Sequence, residues 1–199
     1  MTLENTSGMS RIPSHFVSVL RALVGHRIIG VTRYGWWNPE DTEQACGVKG
    51  QDVFSLTAGP VVIEFDTGMA LGIASEPSTN SVSVWVEKNE AGQSVRNEPL
   101  ASDEELHPIS ATNVMFADQF WRHVIGSKVN EISILVRKLS NVKFAELPNE
   151  VGLCFSLDSG LKIVAAHGLH DDSDDFAIIP DKLILHSLRS ELQELSLKE

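Results

Sequence analysis

Two short segments of this chain carry residue types that could do acid–base chemistry, Asp66-Thr67-Gly68 and Asp158-Ser159-Gly160. Two aspartates brought face to face can share one proton and activate a water between them, which is the chemistry of hydrolysis by a carboxylate dyad. The same spelling also suits a tight hairpin turn, in which Asp bonds nearby backbone and Gly takes a positive φ. A second cluster, His167-Gly168-Leu169-His170-Asp171-Asp172-Ser173-Asp174-Asp175, gathers imidazoles and carboxylates, both competent ligands for a divalent metal. Its spacing matches no closed tetrahedral pattern, so no metal site is assigned; a solvated loop with a concentrated negative surface is expected. A third candidate is Tyr34-Gly35-Trp36-Trp37-Asn38-Pro39, followed by Glu40, Asp41 and Glu43. Tryptophans in a loop flanked by acids have the composition of a protein–protein hot spot. The alternative is that both rings fold back over a sheet edge or the core.

The paired Asp-X-Gly motifs are aspartic-peptidase-like, with Phe65 and Leu157 as the apolar residues before them, and a hydrolase using Asp66 and Asp158 is one functional alternative. Met69 and Leu161 depart from the Ser, Thr or Ala usual after that motif. Val124-Ile125-Gly126 lies after the first motif, but nothing comparable follows Asp158. There is no Gly-rich phosphate loop, no G-x-S-x-G elbow and no Cys-x-x-Cys pair. His15, His26, His107, His123 and His186 are scattered. No catalytic residue, cofactor or metal is expected.

The elements that would position these groups come in two copies. Leu20-Arg21-Ala22-Leu23-Val24-Gly25-His26-Arg27-Ile28 returns as Trp121-Arg122-His123-Val124-Ile125-Gly126-Ser127-Lys128-Val129, an offset of 101 (121−20). Ile63 to Leu71 returns as Phe155 to Ile163, an offset of 92 (155−63), so the first copy holds about nine extra residues in between. A period this long predicts two small domains of one type, not a solenoid. Each copy opens with a helix. Phe16, Val17, Leu20, Leu23 and Val24 form one apolar face; Met115, Phe116, Phe120, Trp121 and Val124 form the other, with Ser110 or Thr112 as N-cap. Gly25 and Gly126 are expected to stop these helices, and Arg21 and Arg122 to offset their dipoles.

Beyond each glycine the period becomes that of strands. These are predicted at 27–32, 61–65, 69–74 and 81–86, and again at 128–136, 151–157, 161–166 and 176–179. The fold class is therefore α+β: an internally duplicated helix-plus-antiparallel-sheet unit, with a pseudo-twofold relation between copies. A C-terminal amphipathic helix is predicted after Asp181, with a face of Ile184, Leu185, Leu188, Leu192 and Leu195. It offers a third reading, a scaffold or regulatory subunit docking through that face. The domains are drawn at 10–88 for the first copy, 89–109 for an acidic linker, and 110–199 for the second copy with its helix.

At 199 residues with a net charge of −11, the chain is poorly suited to nucleic acid or to anionic membrane, both of which call for a basic face. An acidic protein is suited to a basic partner, since complementary fields speed association. Two cysteines, Cys46 and Cys154, at non-equivalent places in the copies point to a reducing compartment. The polar stretch 1–10 is not a secretory signal, and no apolar run is long enough to span a membrane, so the cytoplasm is expected.

In its pattern of helix, Gly25 or Gly126, strand, and the Asp66-Thr67-Gly68 or Asp158-Ser159-Gly160 hairpin, the acidic chain resembles the immunity proteins of bacterial polymorphic-toxin systems. The resemblance implies a non-catalytic cytosolic protein that neutralises a cognate toxin by covering its active site. The implied partner is a basic, nuclease-type toxin domain. The expected contact residues are Trp36, Trp37, Glu40 and Asp41 in one loop and Asp171, Asp172, Asp174 and Asp175 in the other. Oligomeric state is left open.

Overall fold

The computed structural model describes residues 11–138, 144, 146–171 and 175–198. The protein is α+β, with two five-stranded antiparallel sheets and a few short helices. A 3-10 turn at Pro13–Phe16 leads into helix α1, Val17–Ala22. The first sheet contains β1 (Ile28–Gly35), β2 (Val61–Phe65), β3 (Ala70–Glu76), β4 (Ser81–Lys88) and β5 (His107–Ser110), in the order β4-β3-β2-β1-β5. Helix α4, Phe120–Val124, precedes the second sheet of β6 (Val129–Arg137), β7 (Gly152–Leu157), β8 (Lys162–His167) and β9 (Phe176–Pro180). That sheet is completed by β10, Leu192–Ser196, in the order β10-β6-β7-β8-β9. Each sheet is thus a four-strand meander with one further strand beside its first member.

Period-2 alternation turns one face of each sheet inward. In β2 the inward residues are Val61, Ile63 and Phe65; in β7 they are Leu153, Phe155 and Leu157. Both first strands carry a bulge at matching places, between Ile28 and Gly30 and between Val129 and Glu131. The extra residue restores inward aim, so Ile28 and Val31, like Val129, Ile132 and Ile134, join one apolar core with residues of both sheets and of the helices. At ~25 cal/mol per Å2 of apolar surface removed from water, each such side chain contributes about 1.5–3 kcal/mol.

Among the contacts between the sheets are two pairs whose separations, 101 (128−27) and 92 (167−75), equal the offsets of the similar sequence segments. At one end Arg27 and Lys128 form an isolated antiparallel bridge. Around it, Gly25 N–H donates to Val129 O and Gly126 N–H to Ile28 O, both at 2.7 Å. Ile28 N–H donates to Ser127 O while Val129 N–H donates to His26 O. Gly25 and Gly126 both need positive φ, +93° and +85°, to turn from helix into strand there, which a side chain would oppose. At the other end Ser75 Oγ and His167 Nδ1 lie 2.8 Å apart.

Several expectations change. The C-terminal amphipathic helix does not form: residues after Pro180 make a 3-10 turn (Asp181–Leu183), helix α5 (His186–Arg189) and strand β10. Ile184 and Leu188 are buried against Leu135, Cys154 and Val164 on the outer face of the second sheet, whereas Leu192 and Leu195 pair with Arg137 and Ile134 of β6. The edge of β6 needs backbone partners, and that need outweighs a leucine spacing that also fits a helix. The scaffold reading thereby loses its docking helix. The stretch expected as solvated linker supplies β5 and buries Leu100 and Leu106 over Tyr34, Val62 and Trp85 on the outer face of the first sheet. Met115 and Phe116 precede α4 instead of joining it, and Asp118, not Ser110 or Thr112, accepts the Phe120 N–H at 2.7 Å. Arg21 donates to Leu197 O at 3.1 Å, tying α1 to the chain end.

Candidate functional site

The residues between β1 and β2 fold into short helices too brief for any periodicity to announce. Helix α2 is Thr42–Cys46 and helix α3 is Val53–Leu56. Buried Thr42 donates its hydroxyl to Asn38 O at 3.2 Å, and Gly47 closes α2 in the left-handed conformation at φ 76°. Helix α3 buries Val53 and Phe54. Phe54 meets Trp121 edge-on at 4.8 Å, and the Trp121 indole N–H donates to Ser55 Oγ at 3.0 Å. The segment between β1 and β2 is therefore held to helix α4, and α3 packs against edge strand β9.

Where this segment meets β9 a groove of about 190 Å3 opens. Its floor is apolar: Phe176 and Ala177 of β9 are buried, with Leu56, Ala58 and Val48 half-buried beside them. Its mouth holds Trp37, Cys46, His170, Asp171 and Asp175. Two loops singled out separately in the sequence, 133 residues apart from Trp37 to His170 (170−37), are thus walls of one cavity.

Behind the floor lies a residue whose importance the sequence reading missed. Arg33 on β1 is wholly buried inside the molecule, 101 positions before the inward-facing Ile134 of β6 (134−33). Its guanidinium donates to Thr57 O through Nε and Nη2, and to Phe176 O at 2.7 Å. It also stacks on the Phe176 ring at 4.6 Å. Among the described residues no carboxylate pairs with it, and Arg33 Nη1 and Thr57 Oγ1 have no hydrogen-bond partner. Burial alone pushes its pKa down from 12.5 to about 9. The arginine staples the Thr57 loop of one sheet to the edge strand of the other.

Of the other predicted contact residues, Trp36 is 52% exposed outside the groove, and Glu40 and Asp41 are exposed beyond its lining. Asp172 and Asp174 lie outside the described residues. His167 is buried against Ser75, away from His170 in the groove, and no three His, Cys, Asp or Glu residues converge as a metal cage among the described residues.

Asp66 and Asp158 sit beside the Arg27–Lys128 bridge, Asp66 N–H donating to Arg27 O and Asp158 N–H to Lys128 O. Both motifs are hairpin turns, with Gly68 at φ 88° and Gly160 at φ 80°. Each carboxylate has its own partner: Asp66 Oδ1 lies 3.0 Å from His26 Nδ1, and Asp158 Oδ1 accepts the Lys128 N–H at 2.9 Å with Arg27 at 3.9 Å. No hydrogen bond joins the two carboxylates among the described residues, and neither lines the groove.

Cys46 and Cys154 are both free thiols. No helix among the described residues is long and apolar enough to cross a membrane. No family model, no curated protein and no solved structure matches this chain.

Proposed function

We propose that this protein is a non-catalytic binding protein for a basic protein partner, and specifically an immunity protein that acts in the cytoplasm by covering the active site of a cognate bacterial toxin. One observation carries this reading: an aromatic side chain and acidic residues from distant parts of the chain, Trp37 with Asp171 and Asp175, meet around one cavity. Interface hot spots have this anatomy, an aromatic anchor point with charge at its rim. The cavity of about 190 Å3 is well below the 300–1,000 Å3 of small-molecule sites, which speaks for a side-chain pocket over a substrate or cofactor site. The net charge of −11 adds steering towards a basic surface.

The test is capture from host lysate on immobilised wild-type chain and on a Trp37→Ala/Asp171→Lys/Asp175→Lys variant, at low and moderate salt. A stoichiometric basic protein, toxic when expressed alone, retained by the wild type and lost by the variant supports the reading. Equal retention by both would remove the groove from it, and a wild-type chain that captures no partner would count against the function.

A hydrolase reading draws on the convergence of both Asp-X-Gly turns at the Arg27–Lys128 bridge. It predicts acid-optimum peptidase activity lost in Asp66→Asn/Asp158→Asn with the fold intact. The separate partners of the two carboxylates favour a structural role for these turns.

We also infer that the two sheets descend from one duplicated unit related by a pseudo-twofold axis. The support is the shared meander order, the matching bulges, and contacts between equivalent residues at Arg27/Lys128 and Ser75/His167, as expected of residues lying on such an axis.

A further inference from the structure

The groove is more selective than its acidic rim suggests. Resting on the basic-partner reading above, we propose that its cavity receives one uncharged apolar side chain, aromatic or large aliphatic, from a segment of the partner whose flanking residues are Lys or Arg. Three observations define that occupant. The floor is made of Phe176, Ala177, Leu56 and Ala58, which offer no charged group to an incoming head group. The volume of about 190 Å3 suits one ring or branched chain, given that a dry apolar cavity of roughly 150 Å3 takes up benzene. The third is Arg33, whose guanidinium already stacks on the Phe176 ring at 4.6 Å. A cation pushed to the floor would meet a ring already engaged by a cation and a like charge close by.

Charge is welcome only at the mouth. There Asp171 and Asp175 are exposed, so cations flanking the anchor remain partly hydrated while they gain from the rim's potential. The lip of the pocket is Trp37, 38% exposed, whose indole edge can close over the inserted side chain. The device therefore sorts partners in two steps: basic composition draws them to the face, and a single apolar residue at the right place seats them. A uniformly basic surface would be attracted without being held.

The experiment uses full-length protein and peptides Ac-Lys-Lys-X-Lys-Lys-NH2 with X as Phe, Leu, Gly or Arg, followed through the 15N-labelled Trp37 indole signal, assigned with Trp37→Phe. At low salt, X as Phe or Leu is expected to saturate that signal at a concentration about tenfold or more below X as Gly, the gain of burying one apolar side chain. X as Arg is expected to bind no better than X as Gly. Ala58→Leu, which narrows the cavity from a half-buried position, should erase the Phe and Leu advantage. Asp171→Asn with Asp175→Asn should weaken all four peptides alike. If X as Arg binds tightest, or if all four bind equally, the apolar anchor is wrong while the basic-partner reading stands. If no peptide moves the Trp37 signal, both fall.

Discussion

Replacing Arg33 by methionine should disturb this protein less than replacing it by lysine, the reverse of what charge conservation suggests. The drop in its pKa from 12.5 to about 9 corresponds, at ~1.4 kcal/mol per tenfold change in proton affinity, to about 5 kcal/mol of unfavourable desolvation of the charged group. Against this stand charged hydrogen bonds to two carbonyls, Thr57 O and Phe176 O, at about 1.5–3 kcal/mol each, and a ring contact of about 1–2 kcal/mol. The two sides nearly cancel. Arg33→Met removes the desolvation cost and keeps the stem's packing, but leaves two carbonyls short of a donor at about 1–3 kcal/mol each. With the two sides cancelling, the net is a loss of about 2–6 kcal/mol relative to wild type. Arg33→Lys keeps a buried charge, one more strongly hydrated than guanidinium, and its single head cannot reproduce the fork that spans both carbonyls. Keeping the desolvation cost while losing one charged hydrogen bond, the ring contact and the donor of one carbonyl, it should lose about 4–8 kcal/mol. Urea unfolding at pH 7, compared at constant m, reads the order directly. Lysine as stable as wild type, or methionine as the worst of the three, would refute this reasoning about an uncompensated buried charge.

Three further outcomes are expected. A Cβ at Gly72 would overlap the Trp85 indole, so Gly72→Ala should cost about 1–3 kcal/mol alone and markedly less in a Trp85→Ala background, measured as a double-mutant cycle. With a thiol-reactive dye at pH 8, Cys46 should react fast, being exposed. Cys154 should stay silent until unfolding, since burial raises its pKa to about 12. Glu131 has its pKa lowered by hydrogen bonds from Lys198 and Ser196, so its native state releases a proton more readily than the unfolded chain. The stability it lends is present above the ordinary glutamate pKa and lost as pH falls through the lower folded value. Amide protection factors along β10, taken relative to the intrinsic exchange rate at each pH, should accordingly fall on acidification in wild type, and already be lower at pH 7 in Glu131→Gln.

Much of the sheet architecture is readable from the chain because β-branched residues alternate with Gly turns, as at Val61 to Phe65, where strand β2 has the predicted ends. The glycine stops at Gly25 and Gly126 are equally legible, since positive φ leaves few other residues. The C-terminal strand is not, because Leu188, Leu192 and Leu195 satisfy helical spacing while the decisive demand, the open edge of β6, lies some sixty residues away. The groove is non-local in the same way: Trp37 and Asp171 declare themselves as unusual loop residues, yet only the packing of α3 on β9 joins them. Arg33 did leave a trace. An offset of 101 puts it opposite Ile134 (134−33), so a charge at a core position of the proposed repeat is legible in the sequence.

The proposed function seats a basic partner at the Trp37–Asp171–Asp175 groove. Hydrogen–deuterium exchange of the full chain, alone and with the partner captured from host lysate, tests it most directly. Protection confined to 36–58 and 168–177 is the predicted result. Protection centred on the Asp66 and Asp158 turns, with the groove unchanged, would contradict it.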